Sequence, residues 1–334
     1  MSAGAAAIPG SGVGAPHERY RPGSVEFLAA VLLLTLLLQR WASHQLGGAA
    51  IRMAGTVFLA IIVQAAPFLA LGVVLSGAIA AFVPATFWQR VLPSRPALAV
   101  PVAGLAGAIL PGCECASVPV SGGLMARGVP PSAALAFLLS APAINPVVLA
   151  ATAVAFPHRP EMVLARFLAS LVTSVGMGWL WLRFGRPHWL RIPSREHLLG
   201  ANVWQTFRLT ATHDFLHAGG FLVIGGITAA ILNVAIPRSW IHTVASVPGV
   251  EVLALALLAV VLAVCSEADA FVAASLTGFS YTARLAFLVV GPMVDVKLVA
   301  MQSGTFGRSF AVRFAPTTFV LATIASVLVG WWLL

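Results

Sequence analysis

The sequence predicts an all-α polytopic membrane protein with about 9–11 membrane segments, arranged as two inverted five-segment repeats after one extra N-terminal helix. Three observations predict this class. The 334-residue chain is 60% hydrophobic and 9% charged, which leaves too little polar surface to cover a soluble globule. Apolar runs of membrane-spanning length recur along the chain. Several sequence blocks of the first half return in the second.

The elements follow in order from these runs. The candidate membrane segments are 24–41, 54–83, 97–111, 115–126, 131–156, 162–183, 214–237, 249–265, 267–277, 284–306 and 313–334. Those at 115–126 and 267–277 are too short to cross a bilayer as straight helices. Two interpretations stay open: each segment spans the membrane, or it forms a re-entrant hairpin with the segment before it. The predicted domains are a disordered tail at 1–23, an extra transmembrane helix at 24–41, repeat 1 at 54–183, a cytoplasmic linker at 184–213 and repeat 2 at 214–334.

The linker contains a four-residue apolar spacing at Leu199, Val203 and Phe207. This spacing predicts either a short helix at the membrane interface or a plain connector between the repeats.

The duplication rests on residues that rarely match by chance in apolar helices. At a constant offset of 150, Cys115 pairs with Cys265, Pro142 with Pro292, and Asn145 with Asp295. Five segments separate the starting helices of the two units. Because five is odd, the second unit enters the membrane from the opposite side, which predicts inverted topology.

The net charge of +9 comes from arginines in short gaps between apolar runs. Twelve of the eighteen arginines, but not Arg166, fall inside if the N-terminus is cytoplasmic, which predicts that orientation in a bacterial inner membrane. Cytoplasmic loop charge therefore explains the basic balance. The lipid bilayer is the expected partner, and nucleic acid is not.

The first chemical motif is Pro111-Gly-Cys-Glu-Cys115. Proline and glycine break the backbone at membrane depth, which is tolerated where the freed polar groups line a cavity or are buried in protein. The break sets Cys113, Glu114 and Cys115 side by side. The alternative is a surface loop with Glu114 in water.

The second motif supplies Cys265, Glu267 and Asp269. Cys265 and Asp269 are four residues apart and are expected on one helix face. Thiols suit soft metals and metalloids, whereas carboxylates suit protons or hard cations. No histidine accompanies the cysteines, so a structural zinc site is disfavoured and no cofactor is predicted. A disulfide between Cys115 and Cys265 is a competing interpretation if the two sulfurs meet.

Each repeat then carries a helix interrupted by proline. Pro142 is followed by Asn145, and Pro292 by Asp295, each able to take up freed backbone groups or face a pathway. Lys297, the only lysine, lies in this apolar setting, where an unpaired ammonium is costly. Asp295 is two residues from Lys297 and would lie on a different helix face, so the expected partners of Lys297 are Glu267 or Asp269. The alternative is that Lys297 snorkels to a nearer surface.

Four blocks carry a family resemblance. They are Pro111-Gly-Cys-Glu-Cys-Ala-Ser-Val-Pro-Val120, Arg127-Gly-Val-Pro130, Ala136-Phe-Leu-Leu-Ser-Ala-Pro-Ala-Ile-Asn-Pro-Val-Val-Leu149 and Cys265-Ser-Glu-Ala-Asp-Ala-Phe271. Over roughly 54–334 the chain resembles the bacterial predicted-permease family related to the organoarsenical efflux permeases. The resemblance implies a permease for a small solute, with thiol-reactive trivalent arsenicals as one candidate. The Cys-Glu-Cys pattern resembles that of a sister branch of permeases, which are often paired with a second membrane subunit. This resemblance implies such a partner.

The sequence therefore predicts a secondary transporter with one midplane site. It contains no phosphate-binding loop of the P-loop kind, so an ion or proton gradient or a partner chain is expected to supply the energy. Glu267 or Asp269 is the expected proton carrier. Two other functions stay open: an intramembrane cysteine/carboxylate enzyme, and a non-transporting subunit of an envelope complex. No zinc-protease motif supports the enzyme.

Overall fold

The computed structural model describes residues 49–109, 113–192, 202–235 and 250–334. Within these ranges every regular element is a helix. The predicted tail at 1–23 and the extra helix at 24–41 lie outside the described residues. The helices are α1 Ala49–Phe82, α2 Ala85–Val91, α3 Pro96–Ala106, α4 Glu114–Ala126, α5 Pro131–Ile144, α6 Pro146–Ala155, α7 Glu161–Phe184, α8 Val203–Ala235, α9 Val250–Leu262, α10 Asp269–Ser275, α11 Tyr281–Met293, α12 Val296–Phe306 and α13 Arg308–Leu333.

Six helical units in the described part of the chain are long and apolar enough to cross a membrane. They are Ile51–Phe82, Pro131–Ala155, Glu161–Phe184, Val203–Ala235, Tyr281–Phe306 and Arg308–Leu333. The all-α, polytopic membrane class is thereby confirmed. Helices α4 and α10 extend only about 20 Å and about 10 Å at 1.5 Å per residue, against a bilayer core of about 30 Å. Whether they are re-entrant stays a prediction.

The core is formed by the two interrupted helices, α5–α6 and α11–α12. Within them, 78% and 83% of the most apolar 18-residue windows are buried, against 28% for α1. The outer helices instead expose apolar side chains such as Val63 and Val312, as lipid-facing helices do. The two chain interruptions therefore lie in the best-enclosed part of the molecule.

The second half repeats the element order of the first. Helix α3 packs on α5 as α9 packs on α11, and α5 packs on α7 as α11 packs on α13. Across the halves, α4 contacts α12 and α10 contacts α6, which are equivalent pairs in the proposed duplication. These contacts support the duplication, and the inverted relation between the halves stays a prediction.

Helix α8 begins earlier than the sequence analysis expects. It starts at Val203, so Val203 and Phe207 belong to the long helix rather than to a separate short one. Leu199 lies outside the described residues. The helix continues because no proline or glycine interrupts residues 203–218.

Two glycines allow the close helix contacts that position the site. A Cβ atom at Gly225 on α8 would lie 2.6 Å from the Cα of Lys297 on α12. In the first half, Gly72 on α1 packs equally closely against the backbone of Ala116 on α4. Any larger side chain would push α4 or α12 away from its neighbour.

Candidate functional site

Three interruptions of the backbone bring the charged residues together. Helix α4 begins at Glu114, with Cys113 as its N-cap residue. Residues 263–268 are not helical and separate α9 from α10. Val294 and Asp295 separate α11 from α12. The predicted break at Pro111 lies outside the described residues.

Lys297 is the centre of the first ion cluster. Its side chain is 1% exposed, and its Nζ lies 2.7 Å from Glu114 Oε1 and 3.4 Å from Asp295 Oδ2. It also donates a hydrogen bond of 2.8 Å to the carbonyl of Ala263. Glu114 is fully buried, so the alternatives of a solvated Glu114 and a snorkelling lysine are both wrong.

The expected pairing of Lys297 with Glu267 or Asp269 is wrong. The prediction excludes Asp295 because residues two positions apart on a helix lie on different faces. Asp295 is the N-cap of α12, with extended φ −137° and ψ 168°. One carboxylate oxygen accepts a 2.6 Å hydrogen bond from the Leu298 amide, while the other faces Lys297. The helix-face argument does not apply to a capping residue.

Arg166 and Asp269 form a second buried ion pair. Arg166 Nη1 donates to Asp269 Oδ1 at 2.9 Å, and Nη2 donates to Oδ2 at 2.7 Å. The guanidinium also donates to Thr152 Oγ1 at 2.8 Å and to the Ser266 carbonyl at 3.4 Å. Arg166 is fully buried, so counting it among outward-facing loop charges is wrong.

Ser266 connects the two ion clusters. Its hydroxyl donates to Glu114 Oε2 at 3.4 Å, and its carbonyl accepts from Arg166. A continuous polar chain therefore runs from Arg166 through Ser266 and Glu114 to Lys297. Its members come from both halves, since α4 and α7 precede the linker and the 263–268 segment follows it.

The three cysteines are buried and free. The competing disulfide between Cys115 and Cys265 is therefore wrong. Cys265 lies in the non-helical 263–268 segment, and α10 begins only at Asp269. The Asp269 amide donates to the Cys265 carbonyl at 3.0 Å, as in a single α-helical turn, so a shared face for these two residues stays a prediction. Cys265 Sγ lies 4.0 Å from Lys297 Nζ, which places one thiol at the first ion cluster.

Glu267 differs from the other acids of the site. Glu114, Asp269 and Asp295 are buried and ion-paired, whereas Glu267 is partly exposed and forms no ion pair among the described residues. Glu267 is therefore the carboxyl group in this region with the least fixed surroundings.

The two predicted proline breaks have matching geometry. Pro142 and Pro292 lie inside α5 and α11, and each helix ends one or two residues before the polar residue three positions after its proline. Asn145 Oδ1 accepts a 3.0 Å hydrogen bond from the Val148 amide, and its Nδ2 donates to the Ala141 carbonyl. Asn145 and Asp295 thus cap α6 and α12 in the same way.

Sequence reasoning missed Arg166, Thr152, Ser266 and the Ala263 carbonyl. One signal was present: Arg166 lies inside the predicted 162–183 segment, and a buried cation in lipid requires a partner. Hydroxyl and carbonyl groups carry no such signal, because they occur throughout apolar helices.

The formal charge of the site is unbalanced. Arg166 and Lys297 are surrounded by the four carboxyl groups of Glu114, Glu267, Asp269 and Asp295. Such an arrangement favours protons or cationic and neutral solutes and repels anions. Across the described ranges, no group of three or more His, Cys, Asp or Glu side chains is arranged to hold a metal ion.

An apolar cavity of about 310 Å³ lies between α1, α4 and α5. Ala116 and Ser117, which directly follow Cys115, form part of its wall. Leu71 and Val74 line it from α1 and are about half exposed on the outer surface. The cavity therefore joins the lipid-facing surface to the helix that carries Glu114.

Comparisons with known proteins agree with this architecture. Residues 50–331 match a protein family described as predicted permease. The chain is 34% identical to the UPF0718 protein YcgR of Bacillus subtilis over 281 residues, which covers 82% of this chain and 96% of that protein. It is 30% identical over 282 residues to a Streptococcus mutans protein named as a proposed subunit of a two-component membrane permease complex, covering 82% and 94% of the two chains. No solved structure matches the chain.

Proposed function

Because the chain belongs to the predicted-permease family, we propose that it is a secondary transporter that moves a small solute across the bacterial inner membrane. Membership in this family indicates a transporter rather than an enzyme. The observation that carries the proposal is the fully buried Lys297–Glu114 ion pair, which lies where three backbone interruptions meet.

Stability alone does not account for this cluster. Replacing a buried ion pair by well-packed apolar residues is often neutral or stabilising, because desolvation offsets the attraction between the charges. Intramembrane ionisable groups that face interrupted helices are instead typical of substrate and ion pathways. The Lys297 cluster consists of buried ionisable groups, and it lies beside the interruption between α11 and α12.

The chemistry of the site favours a neutral or cationic, thiol-reactive solute. Excess carboxyl groups disfavour an oxyanion, and the buried Cys265 thiol beside Lys297 offers a soft ligand. Trivalent organoarsenicals fit these requirements and agree with the family resemblance. A soft metal cation is the second candidate. The apolar cavity beside Ala116 offers a route from the lipid-facing surface for the organic part of such a solute.

Glu267 is the better candidate for a coupling proton carrier. Asp269 is held by two charge-assisted hydrogen bonds from Arg166, which stabilise its charged form. Glu267 has no ion-pair partner among the described residues and is partly exposed, which favours exchange of a proton with water. A proton gradient would then supply the energy.

A second membrane subunit is the expected partner. The Streptococcus mutans relative is named as a proposed subunit of a two-component permease complex. We extend this arrangement to the present chain, with the N-terminus on the cytoplasmic side. A non-transporting role in such a complex is the competing function.

Transport into everted membrane vesicles tests the proposal. Trivalent methylated and aromatic arsenicals, soft metal ions and thiol compounds are offered to wild-type vesicles and to C115S, C265S and K297M vesicles. We expect accumulation of at least one solute by wild type, and its loss in K297M. R90M, which removes an exposed positive charge on α2, is the matched control and should transport normally.

Two results would contradict the transport proposal. One is that no solute accumulates above protein-free vesicles when the partner subunit is co-expressed. The other is that K297M, present at normal abundance, accumulates every solute as wild type does. The second result would favour the non-transporting subunit.

A further inference from the structure

Arg166 is the one buried cation of the site with no role in the proposed transport chemistry. It lies on α7 in the first half of the chain, and Thr152 on α6 holds one of its nitrogens. Its remaining bonds cross to the second half, to both oxygens of Asp269 and to the Ser266 carbonyl. Arg166 therefore ties the first half to the non-helical 263–268 segment.

The 263–268 segment supplies three contacts to the Lys297 cluster. The Ala263 carbonyl accepts from Lys297, the Ser266 hydroxyl donates to Glu114, and Cys265 places its sulfur near Lys297. The segment has few bonds of its own. Its internal backbone bonds run from the amides of Ala268 and Asp269 to the Cys265 carbonyl, and Ala263 adopts a positive φ of 48°.

A guanidinium suits this position better than an ammonium. The two parallel bonds to Asp269 use its planar fork, and the same group still reaches Thr152 and Ser266. A lysine has one compact charge and cannot make all of these bonds with fixed geometry.

We propose that Arg166 is a positioning residue: through Asp269 and Ser266 it holds the 263–268 segment against the first half, so that Ala263, Cys265 and Ser266 meet Lys297 and Glu114. This inference deepens the proposed function, and its consequence for transport rests on that function. The position of the segment itself can be measured without transport.

The rate of Cys265 alkylation reports that position. The full-length protein carrying C113S and C115S, purified in detergent, has Cys265 as its only thiol, which is 2% exposed in the structure. N-ethylmaleimide should label it slowly. R166Q and D269N should each raise the labelling rate by about tenfold or more, because losing one partner of a buried pair frees the segment. R166K should give an intermediate rate.

Two controls separate positioning from general damage. R284Q removes another buried arginine, which donates to the Phe279 carbonyl and forms no hydrogen bond or ion pair with the 263–268 segment, so labelling should stay slow. The exchanged pair R166D/D269R restores opposite charges and should label more slowly than either single variant. Each variant is scored only as a monodisperse peak in size-exclusion chromatography, and D269N serves if R166Q does not fold.

Equal labelling rates in wild type, R166Q and D269N would overturn the inference, as would acceleration by R284Q to the same extent. Faster labelling in R166Q and D269N, with slow labelling in R284Q, supports it. If the labelling pattern holds while the wild-type protein transports no solute, the proposed function is wrong and the positioning role stands.

Discussion

At the scale of single residues, the site depends on how buried charges are paired. Lys297 faces two carboxyl groups and a carbonyl, and Arg166 faces one carboxyl group with a bidentate fork. At Lys297 two carboxyl groups face one positive charge, so a solute or proton can replace one of the partners. The Arg166–Asp269 pair is balanced in charge and leaves no carboxyl group in excess. We therefore assign exchange of solute or protons to the Lys297 cluster and a fixed position to Arg166.

A paired substitution separates stability from transport at Lys297. K297M and E114Q should each destabilise the protein by about 3–5 kcal/mol, because each leaves an unpaired group buried. The double variant E114Q/K297M should recover much of this loss and still fail to transport. Thermal unfolding in detergent and vesicle transport measure the two effects. Transport by the stable double variant would show that the pair is purely structural.

Glu267 gives a second prediction at this scale. If it carries the coupling proton, E267Q should abolish the dependence of transport on an imposed pH gradient, because glutamine cannot exchange a proton. E251Q, which alters an acid at the start of α9 outside the cluster, should keep that dependence. The measurement is vesicle uptake with and without a proton uncoupler. A normal uncoupler effect in E267Q would transfer the role to another carboxyl group.

At the scale of elements, the interruptions of α5–α6 and α11–α12 determine where polar groups can lie. Each interruption ends with a residue that caps the following helix, Asn145 in the first half and Asp295 in the second. The caps are alike in geometry and different in charge. The Asn145 cap is therefore neutral, and of the two caps only Asp295 adds a negative group beside Lys297, in addition to Glu114.

Substitution at the two caps should distinguish capping from charge. D295N keeps a side-chain oxygen for the Leu298 amide and removes the negative charge near Lys297. We expect little loss of stability and a clear loss of transport. N145A removes a cap and should cost about 0.5–2 kcal/mol of unfolding free energy. Equal transport in D295N and wild type would mean that Asp295 acts only as a cap.

At the scale of the whole molecule, the halves share their element order, and polar contacts cross between them. Glu114 and Arg166 come from the first half, and Lys297 and Asp269 come from the second. Each half thus supplies one acid and one base to the other. Lys297 also has Asp295 in its own half, whereas Glu114 and Arg166 find their ionic partners only in the second half. The complete site therefore exists only in the assembled molecule.

The inverted relation between the halves can be tested by reporter fusions. Alkaline phosphatase is active only outside the inner membrane, and green fluorescent protein is fluorescent mainly inside. Inverted repeats with an inside N-terminus predict fluorescence for fusions after Arg186 and phosphatase activity for fusions after Leu334. The same reporter active at both positions would exclude this topology.

The sequence alone determined the membrane class and most of the long helices in the described part of the chain. Hydropathy is a local property, so the predicted 162–183 and 284–306 segments correspond to α7 and to α11–α12 within a few residues. Proline and a following Asn or Asp also predicted the interruptions at Asn145 and Asp295, because these effects act within a few residues of the chain.

The tertiary structure decided which charges pair. Lys297 meets Glu114 across 183 positions of sequence, and Arg166 meets Asp269 across 103. Such contacts depend on how α4, α7 and α12 pack, and no periodicity within one segment encodes them. The pairing of Lys297 with Asp295 was missed because the prediction treats Asp295 as a residue within a helix, whereas the fold places it just before α12.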